Sequence, residues 1–333
     1  MVSAIITTHN RINLLPRAID SILAQTFKDI ECIVVDDAST DGTEDYCKSL
    51  DTIRYIRISQ NESNGGNYAR NLGIKAAKGE YIAFLDDDDV WYPTKIEKQI
   101  DAIKARQCGF VYCGKDWEMV NREANETITE KCQSSSLQEG FFAKRILWQF
   151  ASTSSCFLIS KDLLYKVGLF DESLRFWQDY ELTIRLAQVT SFHCVKESLV
   201  LYRVDATDKN RLTNKYGVWK EAVRYIRKKH SNLYSKLSTD EYVKYLNLVW
   251  QDAIWRTNAE SHKRTNEYYK VLCYYCRIYE FRNVLKARER IFYYLFLSHS
   301  FFVMYRKRLI FETPSLYISC LIMKTINKIT RLL

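Results

Sequence analysis

The sequence predicts an α/β protein with a mostly parallel, doubly wound central sheet flanked by helices, followed by a helical, basic region. Over the first hundred residues, strand and helix patterns alternate with short connections, which is typical of parallel sheets with right-handed crossovers. The charge balance then changes, because residues 1–214 hold 26 Lys and Arg against 31 Asp and Glu, whereas residues 215–333 hold 23 against 9. We therefore predict two domains, 1–214 and 215–333.

The elements of the first hundred residues follow from their hydrophobic patterns. Strands are predicted over residues 2–7, 31–35, 53–58 and 81–85, and helices over residues 14–25, 43–50, 67–77 and 93–106. The first helix places Leu15, Ile19 and Ile22 on one face, as an amphipathic helix requires. The fourth strand is a short apolar and aromatic run after Gly79, typical of a buried strand.

Beyond Gly109 the predicted order becomes mixed. Strands are predicted over residues 110–113 and 157–159, helices over residues 161–167 and 179–188, and a polar loop or flap over residues 121–139. Beyond Tyr216 the pattern is almost entirely helical, with many Tyr, Trp, Lys and Arg residues.

Cysteine usage favours a reducing cytosol. The ten cysteines show no framework spacing, and the chain start lacks a basic-then-apolar signal segment. Cys273 and Cys276 have CxxC spacing, but no second pair accompanies them, so packed thiols are favoured over zinc or redox chemistry. No apolar run approaches the ~20 residues of a spanning helix.

Four consecutive carboxylates, Asp86 to Asp89, follow the fourth predicted strand. They lie at the carboxyl end of that strand, the edge at which ligands bind in open α/β sheets. Their hard oxygen donors suit Mg²⁺ or Mn²⁺, although a solvated acidic turn or an N-cap for the next helix explains the run equally well. The pair Asp36-Asp37 ends the second strand, and Asp179 begins a later helix.

Glycine cradles for phosphate, of the GxGxxG or GxxxxGK type, are absent from the sequence. A site that binds a nucleoside diphosphate without such a cradle must neutralise the phosphates in another way. A divalent metal held by carboxylates does this and also acts as a Lewis acid for a departing diphosphate.

With these motifs in order, the chain resembles glycosyltransferase family 2, the inverting nucleotide-sugar transferases with a GT-A fold. Six segments carry the resemblance, in the family's order and over roughly residues 2–213: residues 3–11, 34–43, 69–74, 81–91, 154–159 and 167–182. The resemblance implies a nucleotide-binding half over 1–110 and an acceptor half over 111–214.

The resemblance also implies roles for residues of the donor site. Thr7, His9 and Arg11 match the segment that lines the base pocket, and Asp37 matches the carboxylate that accepts a hydrogen bond from N3–H of uracil. That contact favours uracil over cytosine, whose N3 carries no proton. Helix capping before Thr43 is the alternative role of Asp36, Asp37, Ser39 and Asp41, and some of them are expected to do both.

Arg70 would help to hold the nucleotide, with a surface ion pair as its alternative. Asp86, Asp87 and Asp88 match the family's DxD motif. Asp88 would be the direct ligand of Mn²⁺ or Mg²⁺, and Asp86 would face the ribose or the water shell of the metal. Asp89 is expected to point away and to cap the next helix.

Asp179 matches the general base that takes the proton of the acceptor hydroxyl. The family motif is usually Glu-Asp, whereas this chain has Gln178 before Asp179, a departure that concerns orientation or pKa tuning. An N-cap of the helix is the alternative role of Asp179.

Further residues border the expected site. Asp205 stands where many relatives have His, which leaves the donor-binding role of its loop open. The residues predicted to contact the acceptor or the diphosphate are Trp91, Trp177, Gln178, Arg203 and Arg211. Core packing explains the two tryptophans equally well, and solvation of a flap explains the two arginines.

The basic region ends in a predicted helix over residues 315–333, with Lys324, Lys328 and Arg331 on one face and apolar residues opposite. Such a helix suits an anionic membrane surface, and packing on the transferase domain or on a partner subunit, including a second copy, is the alternative. No nucleic-acid-binding motif accompanies the charge, so no nucleic-acid partner is expected.

The sequence therefore predicts a metal-dependent inverting glycosyltransferase. It would move a sugar from a UDP-sugar to a hydroxyl of a saccharide acceptor, lipid-linked by analogy with relatives in bacterial surface-polysaccharide assembly. Its expected location is the cytoplasm, at the inner face of the cell membrane. The alternative is a catalytically silent sugar-nucleotide-binding subunit that supports a partner transferase, with Gln178 and Asp205 as signs of lost activity.

Overall fold

The computed structural model describes residues 1–273 except 122, 132–137, 150, 206, 209–214, 264, 268, 271 and 272. It divides into two compact units, of which the first is Met1–Lys236 and the second begins at Leu237. The first unit includes residues beyond the charge change at 214. Lys229 pairs there with Asp171 (2.6 Å) and Glu181 (2.7 Å), and Trp219 packs edge-on against Trp177.

The amino-terminal half forms a parallel sheet with short helical crossovers, as predicted. Its strands are β1 (Val2–Thr8), β2 (Ile30–Asp37), β3 (Arg54–Ile58) and β4 (Tyr81–Asp86). The connecting helices are α1 (Leu15–Leu23), α2 (Thr43–Lys48) and α3 (Gly66–Ala76). Within the described residues, β1 lies between β2 and β4, so the carboxyl ends of these three strands meet at one edge.

The second half of the first unit adds strands of both directions to this sheet. In chain order its elements are β5 (Val90–Trp91), α4 (Lys95–Arg106), β6 (Phe110–Asn121), β7 (Glu126–Glu130), β8 (Phe157–Ser160), α5 (Lys161–Val167), α6 (Gln178–Leu186) and β9 (His193–Asp205). Short 3-10 helices cover Ala143–Leu147 and Ser154–Cys156. The strand order is β3-β2-β1-β4-β8-β6-β9-β5, with β7 paired to β6.

The prediction was wrong on the extent of this second half. Strand β6 continues to Asn121 rather than ending at Cys113, β9 was not expected, and β7 lies in the segment predicted as a loop. The reason is that β6 and β9 pair with each other and carry charged residues on both faces, so neither shows a simple apolar alternation. Every residue of β7 is exposed, so its sequence shows no apolar alternation.

The core lies between the parallel strands and the helices that cover them. Ile5, Ile33 and Phe84 are buried on the central strands. Helix α3 packs closely on β1 because position 73 is Gly, where a Cβ atom would come within 2.6 Å of Ile5 Cγ2. A larger residue at Gly73 would force α3 away from the sheet edge that it supports.

The carboxyl-terminal part is helical where it is described, as predicted. Helices α7 (Tyr216–Lys229) and α8 (Ser231–Tyr234) belong to the first unit, and α9 (Thr239–Ala259) belongs to the second. A capping box of Ser238 and Glu241 begins α9. Within the described residues, no helix combines the length and the apolar character needed to cross a bilayer. The predicted helix over 315–333 and Cys276 lie outside the described residues.

Candidate active site

The carboxyl ends of β1, β2 and β4 bring the predicted donor residues to one edge. In the strand register Thr7 pairs with Asp86, and Thr8 pairs with Asp36. The chain then turns sharply after β4, where the Asp89 amide donates to the Asp86 carbonyl oxygen (3.1 Å). The polar ends of three separate sequence segments therefore share one cleft edge.

Asp37 is a buried carboxylate with an open acceptor position. Asp37 is 8% exposed, and its Oδ2 accepts a hydrogen bond from the Gly65 amide (3.1 Å). Among the described residues, the buried atom Asp37 Oδ1 has no hydrogen-bond partner. The exposed ring of His9 lies beside it, with Nδ1 donating to the Asp37 carbonyl oxygen, and Thr7 is half-buried next to Asp86. A buried acceptor without a partner costs about 1–3 kcal/mol, so this position suits a ligand that donates.

Asp36, the other member of the pair, supports the fold. Its Oδ1 accepts from the Ser39 amide (2.9 Å), and its Oδ2 accepts from Tyr55 Oη (2.7 Å) and Arg57 Nη1 (2.9 Å). Neither residue of the pair caps α2, because Gly42 occupies the N-cap position. The Thr43 amide instead donates to Asp41 Oδ1 (3.3 Å), so the capping alternative describes Asp41.

Two arginines neutralise the acidic run from opposite sides. Arg11 Nη1 donates to Asp87 Oδ1 (3.0 Å) and to Asp88 Oδ2 (2.9 Å), while Arg70 Nη2 donates to Asp86 Oδ1 (2.7 Å). Burial lowers the pKa of Arg11, but its two carboxylate partners outweigh this and raise it above its usual value. Arg70 packs over the Phe170 ring and is largely buried, so the surface-pair alternative does not describe it.

The carboxylates of the run differ in exposure. Asp86 and Asp88 are half-buried, whereas Asp87 and Asp89 are buried. Burial raises the pKa of Asp87 to about 7, against the opposing effect of Arg11. The two more exposed carboxylates, each paired with an arginine, are therefore those assigned to the metal.

The capping role predicted for Asp89 is wrong. Thr94 precedes helix α4, and Asp89 instead accepts hydrogen bonds from Ser155 Oγ (2.6 Å) and from the Arg203 amide (3.0 Å). Its pKa is raised well above the ordinary value, chiefly by burial. Asp89 thus ties the acidic turn to β9 and to the 3-10 helix that contains Ser155.

Asp179 lies at the start of α6, within electrostatic range of the donor residues. Its Oδ1 accepts from the Tyr180 amide (2.8 Å). Burial raises its pKa, Lys115 and Arg70 lower it, and Asp86 raises it. The helix begins at Gln178 after Trp177, so the N-cap alternative for Asp179 is wrong. A carboxylate with a raised pKa beside a donor site suits a general base.

The two tryptophans predicted to contact the acceptor or the diphosphate pack against other residues of the protein. Trp91 is 2% exposed, its indole N–H donates to the Ser155 carbonyl oxygen (2.9 Å), and Lys95 Nζ lies 4.1 Å from its ring centroid. The Trp177 ring lies 5.1 Å from that of Tyr180. These contacts support the core-packing alternative for both tryptophans.

The other residues predicted to border the site are polar. Gln178 Nε2 donates to the Arg175 carbonyl oxygen (3.4 Å), and Arg203 Nη1 pairs with Glu118 (2.9 Å). Asp205 Oδ1 accepts from Thr207 within its own turn. Arg211 lies outside the described residues. Arg203 reaches the acidic run through its backbone, whose amide donates to Asp89 Oδ1 (3.0 Å).

Lys115 is the residue that the sequence interpretation missed. It lies on β6, close enough to Asp179 to lower the pKa of that carboxyl. It was overlooked because β6 was predicted to end at Cys113. The alternation of Lys115, Trp117 and Met119 with acidic residues is the signal of a continuing strand.

Comparison with known proteins identifies the family. The model of the family described as glycosyl transferase family 2 matches residues 3–169. The chain belongs to glycosyltransferase family 2. This glycosyltransferase is 36% identical over 228 residues to an uncharacterised glycosyltransferase of Rickettsia prowazekii, covering 66% of this chain and 70% of the relative. It is 43% identical over 112 residues to the Escherichia coli UDP-Glc:alpha-D-GlcNAc-diphosphoundecaprenol beta-1,3-glucosyltransferase WfaP, covering 34% of this chain and 45% of WfaP.

The fold comparison agrees with the family. The transferase resembles residues 1–349 of Staphylococcus aureus TarS in complex with UDP-GlcNAc, with a TM-score of 0.54 and 16% identity, over 83% of this chain and 91% of that one. The likeness to the ligand-free TarS fragment is similar, with a TM-score of 0.52. The predicted GT-A fold is thereby confirmed.

Proposed function

We propose that this glycosyltransferase moves a sugar, with inversion, from a UDP-sugar to a hydroxyl of a saccharide linked to a lipid diphosphate. The observation that carries the proposal is the position of Asp179. A carboxylate on α6 with a raised pKa lies within electrostatic range of Asp86 and Arg70, which belong to the donor edge. Donor and base are thus brought together by elements that are distant in the sequence.

Asp37 supports uridine as the base. Its Oδ1 needs a donor, and N3–H of uracil supplies one, whereas N3 of cytosine is an acceptor. The E. coli relative is named for UDP-glucose, which agrees with this reading. His9, exposed beside Asp37, offers a ring on which a pyrimidine can stack.

Asp88 and Asp86 fit a divalent metal whose other ligands come from the donor diphosphate and water. Within the described residues, no group of three or more acidic, His or Cys side chains could hold an ion alone. This matches Mg²⁺ and Mn²⁺ sites that use one or two carboxylates plus substrate phosphates. When bound, the metal would offset the charge of the departing diphosphate.

Side chains of this protein would carry out the proton transfer and position the donor. As the acceptor oxygen bonds to the anomeric carbon, the bond from that carbon to the diphosphate breaks and UDP departs. Asp179 accepts the proton of the acceptor hydroxyl, and the rise in its pKa caused by burial makes its carboxylate a stronger base than an ordinary aspartate. Arg70, paired with Asp86, holds the donor side of the cleft in place.

The acceptor and the location are extensions of this proposal. WfaP is named for an acceptor on diphosphoundecaprenol, which supports a lipid-linked acceptor. A position at the inner face of the cell membrane is part of the same proposal. The predicted membrane contact through residues 315–333 remains a prediction, as does self-association.

UDP release from a panel of UDP-sugars with Mn²⁺ and a diphosphate-linked acceptor tests the function. Asp179→Asn should reduce transfer by about a hundred- to ten-thousandfold while UDP binding is retained. Asp88→Asn should weaken metal-dependent UDP binding, whereas Asp20→Asn, an exposed change on α1, should have no effect. UDP binding without turnover on any donor would favour the silent-subunit alternative, and full activity in Asp179→Asn would refute the assigned base.

A further inference from the structure

Three side chains on the β6–β9 pair form a half-buried aromatic and cationic surface. The register aligns Trp117 of β6 with Tyr202 of β9, and Lys115 precedes Trp117 by two residues on the same face. The two rings meet edge to face, with centroids 5.3 Å apart. On the opposite face, Asp116 bonds to Tyr92 and Glu118 is held by arginines. We name Lys115, Trp117 and Tyr202 the β6–β9 surface.

The Lys115 ammonium is held at this surface by the two rings. Its Nζ lies 4.1 Å from the Tyr202 ring centroid and 4.9 Å from that of Trp117. Cation–π attraction at these distances fixes the charge without neutralising it. All three residues are half-buried, so the surface combines apolar ring faces with a positive charge that a ligand can reach.

The position of this surface relative to the donor edge matters for inversion. In the sheet order, β4 carries the acidic run, β8 follows, and β6 and β9 come next. Asp179 is under the electrostatic influence of Asp86 on one side of β8 and of Lys115 on the other. An inverting transfer brings its acceptor to the face opposite the leaving diphosphate, so an acceptor that reaches Asp179 from β6 and β9 meets this requirement.

We propose that the β6–β9 surface is the acceptor subsite and that it takes a saccharide carrying a diphosphate. This proposal rests on the proposed function, whose acceptor it specifies. Trp117 and Tyr202 offer ring faces to the C–H face of a pyranose, and Lys115 attracts the diphosphate.

The test uses calorimetry on the full chain, saturated with UDP and Mn²⁺. The probe is N-acetylglucosamine α-1-diphosphate with a short alkyl chain, and methyl α-N-acetylglucosaminide is the uncharged comparison. Wild type should bind the diphosphate more tightly than the glycoside. Trp117→Ala should weaken binding of both by roughly five- to tenfold, and Trp117→Phe should restore most of the loss. Lys115→Met should abolish the preference for the diphosphate.

Matched measurements separate this proposal from the function itself. Trp255→Ala, which removes an exposed tryptophan of α9, should change nothing. UDP affinity should be equal in wild type, Trp117→Ala and Lys115→Met. No binding of either saccharide by wild type, or unchanged binding by Trp117→Ala, would overturn the subsite. Failure of wild type to bind UDP would instead refute the proposed function.

Discussion

Replacing Asp37 by Asn should reverse the base preference of the donor site. In the wild type, Oδ2 accepts from the Gly65 amide at 3.1 Å, and the buried Oδ1 faces the expected position of the base. In Asp37→Asn, the Gly65 amide still needs an acceptor, so the amide oxygen takes that place. The NH₂ group then replaces Oδ1 and turns an acceptor into a donor. The variant should therefore lose its bond to N3–H of uracil and gain one to N3 of cytosine.

The magnitude follows from the kind of bond that is lost. A hydrogen bond to a charged group contributes about 1.5–3 kcal/mol, so the Kd of UDP should rise by about 10- to 150-fold. The Kd of CDP should stay unchanged or fall. Isothermal titration calorimetry with UDP and CDP in the presence of Mn²⁺ measures both, with Asp20→Asn as the exposed control. A variant that keeps the wild-type ratio of UDP to CDP affinity would refute the assignment of Asp37.

Three further predictions concern charged groups. Lys95 is fully buried, and desolvation lowers its pKa from 10.5 to about 8. The free energy of unfolding should thus fall as the pH falls from 10.5 to about 8, because the buried lysine becomes charged. Lys95→Met should raise the free energy of unfolding at pH 7 by about 2 kcal/mol. This gain is smaller than the pKa shift alone implies, because the hydrogen bond to Gln99 is lost. Urea unfolding checks this, and no gain over the exposed control Lys104→Met would contradict it. Because burial raises the pKa of Asp179, kcat/KM should decline on the acid side at a higher pH than an ordinary aspartate would give, as a pH profile would show. Arg11→Met should tighten Mn²⁺ binding to the nucleotide-free protein by roughly fivefold, measured by electron paramagnetic resonance of free Mn²⁺, because it removes the cation on Asp88. Equal affinity in both proteins would argue against Asp88 as the ligand.

In the nucleotide-binding half, the local hydrophobic pattern was sufficient to predict the strands and helices. The four parallel strands and their crossover helices were predicted because each is a short apolar run or an amphipathic helix bounded by turn residues. The acidic run and Asp37 fell at strand ends for the same reason. Strand β7 escaped prediction because all of its residues are exposed, and β9 escaped because charged residues interrupt its apolar pattern.

The local sequence pattern did not predict the roles of the individual carboxylates. Asp36 and Asp37 are adjacent and chemically identical. The Ser39 amide binds one oxygen of Asp36 and Tyr55 and Arg57 bind the other, whereas Asp37 keeps one oxygen without a partner among the described residues. Asp89 bonds to Ser155, which is 66 residues away in sequence. Trp91 faces the core rather than a ligand. These roles depend on partners that are remote along the chain.

By itself, the sequence determined the family, the parallel sheet and the edge at which the donor carboxylates gather. The physical reason is that hydrophobic period and strand-end position are local properties of a chain. The tertiary structure alone decided which carboxylates are exposed or buried, and it alone brought Asp179 within electrostatic range of Asp86 and Lys115. Desolvation and charge proximity set those properties, and both arise only when distant segments pack against one another.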